Sequence, residues 1–234
     1  MKGKLYLIPN TLGDSAIERV IPSFNTELIN KIHIYIVENI RTARRFLSKS
    51  GITVKIDDLT FFELNKHTSV EEYSGFLKPI FDGHDIGVIS EAGCPAVADP
   101  GAEIVKIAHN TQIDVVPLVG PASMLMALMA SGFNGQSFAF NGYLPVKSNE
   151  RAEQIKKDEQ RSKREGQTQI YIEAPYRNMQ LLDGFLNQLN PQTRLCIATD
   201  LTLENEFIKT KTVKDWKTQT PDLHKKPTIF LFLA

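Results

Sequence analysis

Three short segments rich in glycine, proline and alanine have the composition of loops that let a ligand approach the main chain. They cover residues 9–14, 90–101 and 119–123, and each directly follows an apolar run typical of a buried strand. In open α/β sheets, ligands bind beyond the carboxyl ends of the strands. The three segments together therefore predict a cleft lined by main-chain N–H and C=O groups, although any one of them alone would be an ordinary loop.

A second group of residues could move a proton or hold an anion. Glu38 follows the apolar run at residues 32–37, and Arg41 and Arg44 come three and six positions later. A carboxylate and two guanidinium groups at this spacing could face a cleft, or could form a surface ion pair. Cys94 has no histidine that the sequence pairs with it, so we interpret it as a small buried residue rather than a nucleophile.

Composition narrows the class of protein. The 234 residues include 27 basic and 27 acidic side chains, so an RNA partner would have to be met by a local patch. Neither GxGxxG nor GxxxxGK[ST] occurs, and two cysteines with five scattered histidines predict no metal site. No apolar run is long enough to span a membrane and no signal-peptide pattern is present. We therefore expect a cytoplasmic protein that binds no membrane.

Strands and helices alternate along the chain, which predicts βαβ units and a mainly parallel sheet. The predicted strands cover residues 5–8, 32–37, 60–64, 85–90, 113–118, 137–143, 169–173, 195–199, 207–213 and 228–233. The predicted helices cover residues 41–47, 69–81, 102–109, 123–131 and 178–189, with 149–165 as an exposed helix or a mobile loop. We expect the apolar helix at 123–131 to be buried, and His33 to be a core residue of its strand.

The composition changes near residues 117–121, where we place a domain boundary. The prediction is an α/β protein of two α/β domains with a cleft between them. Residues 1–117 would form an N-terminal domain with a mainly parallel sheet, and residues 118–234 a C-terminal domain with a mixed sheet.

Several segments, in order along the chain, carry a resemblance to a known family. VENIRTARRFL (residues 37–47) resembles AEDTRHTRRLL, SEAGCPAVADPG (90–101) resembles SDAGTPGISDPG, and VPLVGPASMLMALMASG (116–132) resembles PLPGPSALIAALVASG. The three patterns that they resemble belong to the tetrapyrrole methylase superfamily of S-adenosylmethionine-dependent enzymes. Within it, the chain is most similar to the small-subunit ribosomal RNA (cytidine-2′-O-)methyltransferase branch. Asn39 stands where that pattern has an acidic residue, Glu91 where it has Asp, and Cys94 where it has Thr.

The resemblance implies a class III methyltransferase, usually a homodimer, with S-adenosylmethionine held between the two domains. Matched by motif position, the residues near this cofactor would be Pro9, Ser90, Ala92, Gly93, Val97, Ala98, Pro121, Ala122, Ser123, Ile172, Glu173, Ala198, Thr199 and Thr228. A sulfonium methyl is already activated, so the enzyme would mainly align the acceptor, without a metal or a covalent nucleophile. Glu38 and Glu91 are the candidate bases for a ribose hydroxyl, and Arg41 or Arg44 could hold a phosphate.

Three functions are consistent with these features of the sequence. The leading one is methyl transfer to ribosomal RNA of the small ribosomal subunit, at the ribose 2′-O of a cytidine. Methyl transfer to a tetrapyrrole or another small molecule is the second. A binding module that keeps the fold without catalysis is the third.

Overall fold

The computed structural model describes residues 2–65 and 68–234, and the chain divides into two compact units, Met1–Ala122 and Ser123–Ala234. The sequence analysis placed the boundary after residue 117. The contacts divide the chain after Ala122, directly before an apolar helix.

The first unit contains a five-stranded parallel sheet. Its strands, in chain order, are β1 (Leu5–Ile8), β2 (Ile34–Val37), β3 (Thr60–Glu63), β4 (Ile86–Ile89) and β5 (Val115–Pro117). They are arranged in the order β3-β2-β4-β1-β5, and every neighbouring pair is parallel. All five carboxyl ends therefore lie along one edge, with the end of β4 between those of β2 and β1.

Helices cover both faces of this sheet, which explains why its strands are almost continuously apolar. One face packs against α1 (Ser23–Ile29) and α2 (Ile40–Lys49), where Phe46 and Leu47 are buried. The other face packs against α3 (Val70–Phe76), α4 (Lys78–Phe81) and α5 (Gly101–Asn110). The helix predicted over residues 69–81 is thus two short helices, which meet at Leu77, and α1 was not predicted.

The second unit contains a mixed five-stranded sheet. Its strands are β6 (Phe138–Phe140), β7 (Thr168–Ile172), β8 (Arg194–Thr199), β9 (Phe207–Thr212) and β10 (Thr228–Leu233), in the order β6-β7-β10-β8-β9. Only β6 and β7 are parallel. The helices are α6 (Ser123–Ser131), α7 (Ser148–Glu165), α8 (Asn178–Gln188) and α9 (Val213–Trp216). Aromatic side chains dominate its core, among them Tyr171, Phe185, Trp216, Phe230 and Phe232.

Two burial predictions were wrong. His33 is exposed, because β2 begins only at Ile34 and leaves the histidine in the preceding turn. The apolar helix α6 is buried on one side through Ala127 and Leu128, whereas Leu125 and Met129 are 48% and 83% exposed. An apolar sequence on every side of a short helix therefore did not guarantee complete burial here.

Helix α2 begins immediately beyond the carboxyl end of β2, and its first turn is held by Asn39. The Asn39 side-chain oxygen accepts hydrogen bonds from the main-chain N–H groups of Arg41 (2.9 Å) and Thr42 (3.2 Å). Asparagine and aspartate are both strong N-cap residues, so the replacement of the acidic residue of the family pattern preserves this helix start.

We expect Asn39→Ala to lower the free energy of unfolding by about 1 kcal/mol, because two N–H groups of α2 lose their acceptor. Asn39→Asp keeps an oxygen at the same place and should remain close to wild type. Urea unfolding followed by circular dichroism compares the three proteins. Equal stabilities for the alanine and aspartate variants would show that the cap contributes nothing.

Candidate functional site

The three predicted ligand loops of the first unit converge at the carboxyl edge of its sheet. They follow β1, β4 and β5, and β1 lies between the other two strands. The main chains of Asn10 and Gly93 form an antiparallel bridge, with Asn10 N to Gly93 O at 2.9 Å and Gly93 N to Asn10 O at 3.2 Å. The strand order therefore brings the loop after β1 directly against the loop after β4.

The buried Asn10 side chain strengthens this junction. Its Nδ2 donates to the carbonyl oxygens of Ser90 (3.0 Å) and Glu91 (3.2 Å), while its Oδ1 accepts from the N–H of Thr11 at 2.8 Å. A buried amide with all these partners orients two loops at once. Loop composition in the sequence does not single out Asn10, because asparagine after a strand is also an ordinary turn residue.

The third loop packs on the first two through close contacts. A Cβ added to Gly120 would lie 2.2 Å from Cγ of Pro9, so only glycine allows this approach. The Cys94 thiol donates to the carbonyl oxygen of Pro121 at 3.6 Å, and burial raises the pKa of Cys94. A thiol with a raised pKa is a poor nucleophile, which agrees with the interpretation of Cys94 as a structural residue.

The second loop has an unusual main-chain conformation. Gly93, Ala96 and Ala98 have φ angles of +67°, +65° and +58°, a region that alanine rarely adopts. Asp99 holds this path, because its Oδ1 accepts from the N–H groups of Ala96 (2.9 Å) and Gly101 (2.6 Å). Such strain is sustained only where the surroundings determine the conformation, as they do in many ligand-binding loops.

Within this loop, the structure places the predicted cofactor residues in two groups. Ser90 and Gly93 are buried, and Ser90 Oγ donates to the carbonyl oxygens of Ala92 and Gly93, so these residues shape the turn. Ala92, Val97 and Ala98 are exposed. The N–H groups of Ala92 and Ala98 have no acceptor within residues 2–65 and 68–234, so they are free to bind a ligand.

Three carboxyl groups meet where β2 ends beside β4. The Glu38 carboxyl group lies close to the main-chain N–H of Glu91 and to the carboxyl groups of Asp99 and Glu91. Burial, together with the charges of Asp99 and Glu91, raises the pKa of Glu38. Burial also raises the pKa of Asp99, partly offset by its two N–H donors. Neighbouring carboxyl groups of this kind disfavour each other's ionised form.

The structure therefore brings together Glu38 and Glu91, the two candidate bases, and adds Asp99. Glu91 is exposed and accepts a hydrogen bond from Thr42 Oγ1 at 2.6 Å, which ties the second loop to α2. The available sequence signal for Asp99 was its place before Pro100-Gly101, a pattern that also suits a plain turn.

The two arginines of the sequence analysis lie in different surroundings. Arg44 forms an ion pair with Asp57. Arg41 is exposed on the first turn of α2, and no ion pair of its guanidinium group is found in the part of the chain that the structure describes. Of the two, Arg41 is thus the one available for an anion.

The predicted cofactor residues of the second unit lie at one edge of its own sheet. Strand β10 runs antiparallel to β7 and β8, so its first residue is level with their last residues. Thr228 pairs with Thr199, and their hydroxyl oxygens are 3.1 Å apart. Ile229 pairs with Ile172 on one side and Ala198 on the other.

The side chains at this second edge are largely satisfied within the protein. Glu173 is 9% exposed and accepts hydrogen bonds from Arg177 Nε (2.9 Å) and from the N–H of Ala174 (2.7 Å). Thr199 and Thr228 are buried and donate to main-chain carbonyl oxygens. A ligand at this edge would therefore meet mainly main-chain groups.

No group of three or more His, Cys, Asp or Glu side chains in residues 2–65 and 68–234 is arranged to hold a metal ion. Over the same residues, no helix combines the length and apolar character needed to cross a bilayer.

No protein-family model matches the chain. Curated proteins that resemble it share one name. The chain is 30% identical over 216 residues to ribosomal RNA small subunit methyltransferase I of Neisseria meningitidis serogroup B, covering 92% of this chain and 70% of that protein. It is 28% identical over 207 residues to the protein of the same name from Escherichia coli O157:H7, covering 88% and 68%.

Solved structures show the fold. The methyltransferase CobJ superposes with a TM-score of 0.66 at 16% identity, over 99% of this chain and 94% of that one. Cobalt precorrin-4 methyltransferase CbiF gives 0.62 at 17% identity, over 98% and 94%. This two-domain α/β fold is that of the tetrapyrrole methylases, and by its sequence the chain belongs to the ribosomal RNA small subunit methyltransferase I family.

Proposed function

We propose that this protein transfers a methyl group from S-adenosylmethionine to ribosomal RNA of the small ribosomal subunit, at the ribose 2′-O of a cytidine. The observation that carries the proposal is the 30% identity, over 92% of the chain, to a protein named for methylating that RNA. The structures named for tetrapyrrole chemistry share only 16–17% identity, so their likeness supports the fold and not a macrocyclic substrate.

The loops of the first unit suit S-adenosylmethionine chemically. The small exposed residues Ala92 and Ala98 leave their N–H groups accessible, and Val97 between them supplies apolar surface. Pro9, Gly93 and Pro121 are buried and would act by shaping the loops, while Ala122 and Ser123 are partly exposed and could touch the ligand. In the second unit, Ile172, Glu173, Ala198, Thr199 and Thr228 would contribute mainly through the main chain. When bound, the cofactor supplies an electrophilic methyl group on a sulfonium.

The chain itself must remove the hydroxyl proton of the acceptor. Methyl transfer breaks the S–C bond, forms an O–C bond and releases that proton, which Glu38 would accept on its carboxylate. Burial raises the pKa of Glu38, so its ionised form is a stronger base than an exposed glutamate. Asp99, which lies close to Glu38, would act as a positioning residue for it. Glu91, which is nearby and exposed, is the alternative base, and Arg41 could hold a phosphate of the RNA.

We also propose that two copies of the chain associate in the cytoplasm. The exposed apolar side chains of Leu125 and Met129 on α6 support a partner surface on the second unit. The family resemblance suggests that this partner is a second copy.

The direct test mixes purified protein, S-adenosylmethionine with a labelled methyl group, and small ribosomal subunits from a strain that lacks the gene. We expect label at one cytidine of the RNA. Glu38→Gln should lower kcat by about a hundredfold, because the base is lost. Glu103→Gln, which removes an exposed carboxylate on α5, is the matched control and should keep wild-type kcat. Unlabelled RNA with wild-type protein would refute the proposed function, and a fully active Glu38→Gln would refute the role of Glu38.

The carboxyl cluster also predicts a pH-dependent stability. The pKa values of Glu38 and Asp99 are raised in the folded state, so the folded protein binds protons more tightly than the unfolded chain. The associated stability is present below the ordinary pKa of a glutamate, 4.5, and is lost as the pH rises through the raised values. Glu38→Gln removes the part of this loss that Glu38 contributes, because an amide does not ionise.

Glu38→Gln should therefore melt a few degrees above wild type at pH 8, and the difference should shrink toward pH 4.5. Thermal unfolding of both proteins across this range measures the effect, with Glu103→Gln as the control for a lost surface charge. A difference that is constant with pH would show that the cluster does not titrate as described.

A further inference from the structure

A cavity of about 540 Å³ lies within the first unit, beside the joined loops. Its volume is within the range of small-ligand pockets, roughly 300–1,000 Å³. The loop at residues 10–14 forms one wall, α2 forms another, and Glu91 with Ala92 closes one end. Ile17 and Phe46, both buried, provide an apolar floor. All of these residues belong to one compact unit.

Helix α2 presents one continuous stripe of side chains to this cavity. Thr42, Arg45, Phe46 and Lys49 all line it, and their spacing of three, one and three places them on one helical face. The stripe begins with the Thr42 hydroxyl at the Glu91 end and ends with Lys49, and Arg45 and Phe46 lie between them. Arg44 does not line the cavity and pairs with Asp57, so adjacent arginines on the helix are in different surroundings.

At the cationic end of the cavity, an incoming anion could replace a carboxylate that is already paired with a cation. Lys49 forms an ion pair with Asp14, and both side chains are exposed. The hydrogen bond and charge of Lys49, helped by the charge of Arg45, lower the pKa of Asp14, so both cations lie close to one carboxylate. An exposed ion pair of this kind contributes little to stability. A phosphodiester of RNA carries the same single negative charge and two free acceptor oxygens, so it can take the place of the carboxylate beside these cations.

The opposite end of the cavity has the acceptors that a nucleobase amine requires. Glu91 is exposed, and its Oε1 accepts a hydrogen bond from Thr42, which leaves further lone pairs on the carboxylate. Carboxylates accept from the exocyclic amine of cytosine. The buried Phe46 also lines the cavity. The cavity thus combines an acceptor, an apolar surface and two cations, which suit the amine, the ring and the phosphate of a nucleotide.

We propose that this cavity binds one nucleotide of the RNA substrate, with its phosphate at Arg45 and Lys49 and its base toward Glu91. This inference rests on the proposed function, since it assumes that RNA is the substrate. It assigns the phosphate contact to residues that the sequence analysis did not select, and it makes Asp14 a competitor that the phosphate displaces.

The test measures the Kd for small-subunit ribosomal RNA by filter binding, and the KM for small subunits in the methyl-transfer assay. Arg45→Gln should raise both by about five- to tenfold, because a charged hydrogen-bond partner of the phosphate is lost. Because one phosphate contact is lost, it should also reduce the slope of log Kd against log salt concentration by about one. Asp14→Asn should lower both values, since it frees Lys49. Lys106→Gln, which removes an exposed cation of α5, is the matched control and should leave both values unchanged.

Opposite effects of Arg45→Gln and Asp14→Asn would support the inference, because a purely structural role predicts a loss in both variants. Kd and KM values for Arg45→Gln that lie within twofold of those for Lys106→Gln would overturn the inference. Calorimetric titration with S-adenosylmethionine should give wild-type affinity in every variant. If wild-type protein transfers no methyl group, the proposed function fails, and the filter-binding comparison still decides whether the cavity holds RNA.

Discussion

The close packing of three loops at the carboxyl edge of the parallel sheet is the constraint on which the rest of the site depends. The buried Asn10 amide fixes the loop after β1 to the loop after β4. Gly120 allows the loop after β5 to lie against Pro9. These contacts bring the loops close together, and small residues and positive φ angles concentrate there. The shape of this edge of the sheet therefore depends on loop conformation.

The same strand order also creates the acidic cluster. Because β4 lies between β2 and β1, its loop meets Glu38 on one side and Asn10 on the other. Asp99 stabilises the strained turn and is at the same time a neighbour that raises the pKa of Glu38. One residue thus links loop conformation to proton affinity. Sites that bring like charges together for catalysis commonly reduce stability in this way.

Much of this arrangement could be predicted from the sequence. Strand alternation predicted the parallel sheet, and strand ends then predicted that the loops at 9–14, 90–101 and 119–123 converge. Periodicity does not report strand order, so the contacts of Asp99 and Asn10 were not predicted. His33 was misjudged because an apolar run does not show where a strand begins. Arg45 was missed because spacing from Glu38 favoured Arg41 and Arg44, whereas side-chain direction on α2 depends on the loop that packs beside it.

Affinity for the methyl donor tests most directly whether the joined loops form the ligand site. In Asn10→Asp an oxygen replaces the amide that donates to Ser90 and Glu91, so two carbonyl oxygens face a carboxylate. Asn190→Asp is the control, because it adds the same charge to a side chain whose oxygen accepts a hydrogen bond and can still do so. Calorimetric titration with S-adenosylmethionine should give at least tenfold weaker binding for Asn10→Asp, about 1.4 kcal/mol, and wild-type affinity for Asn190→Asp. Equal affinity in both variants, with both folded, would contradict the account.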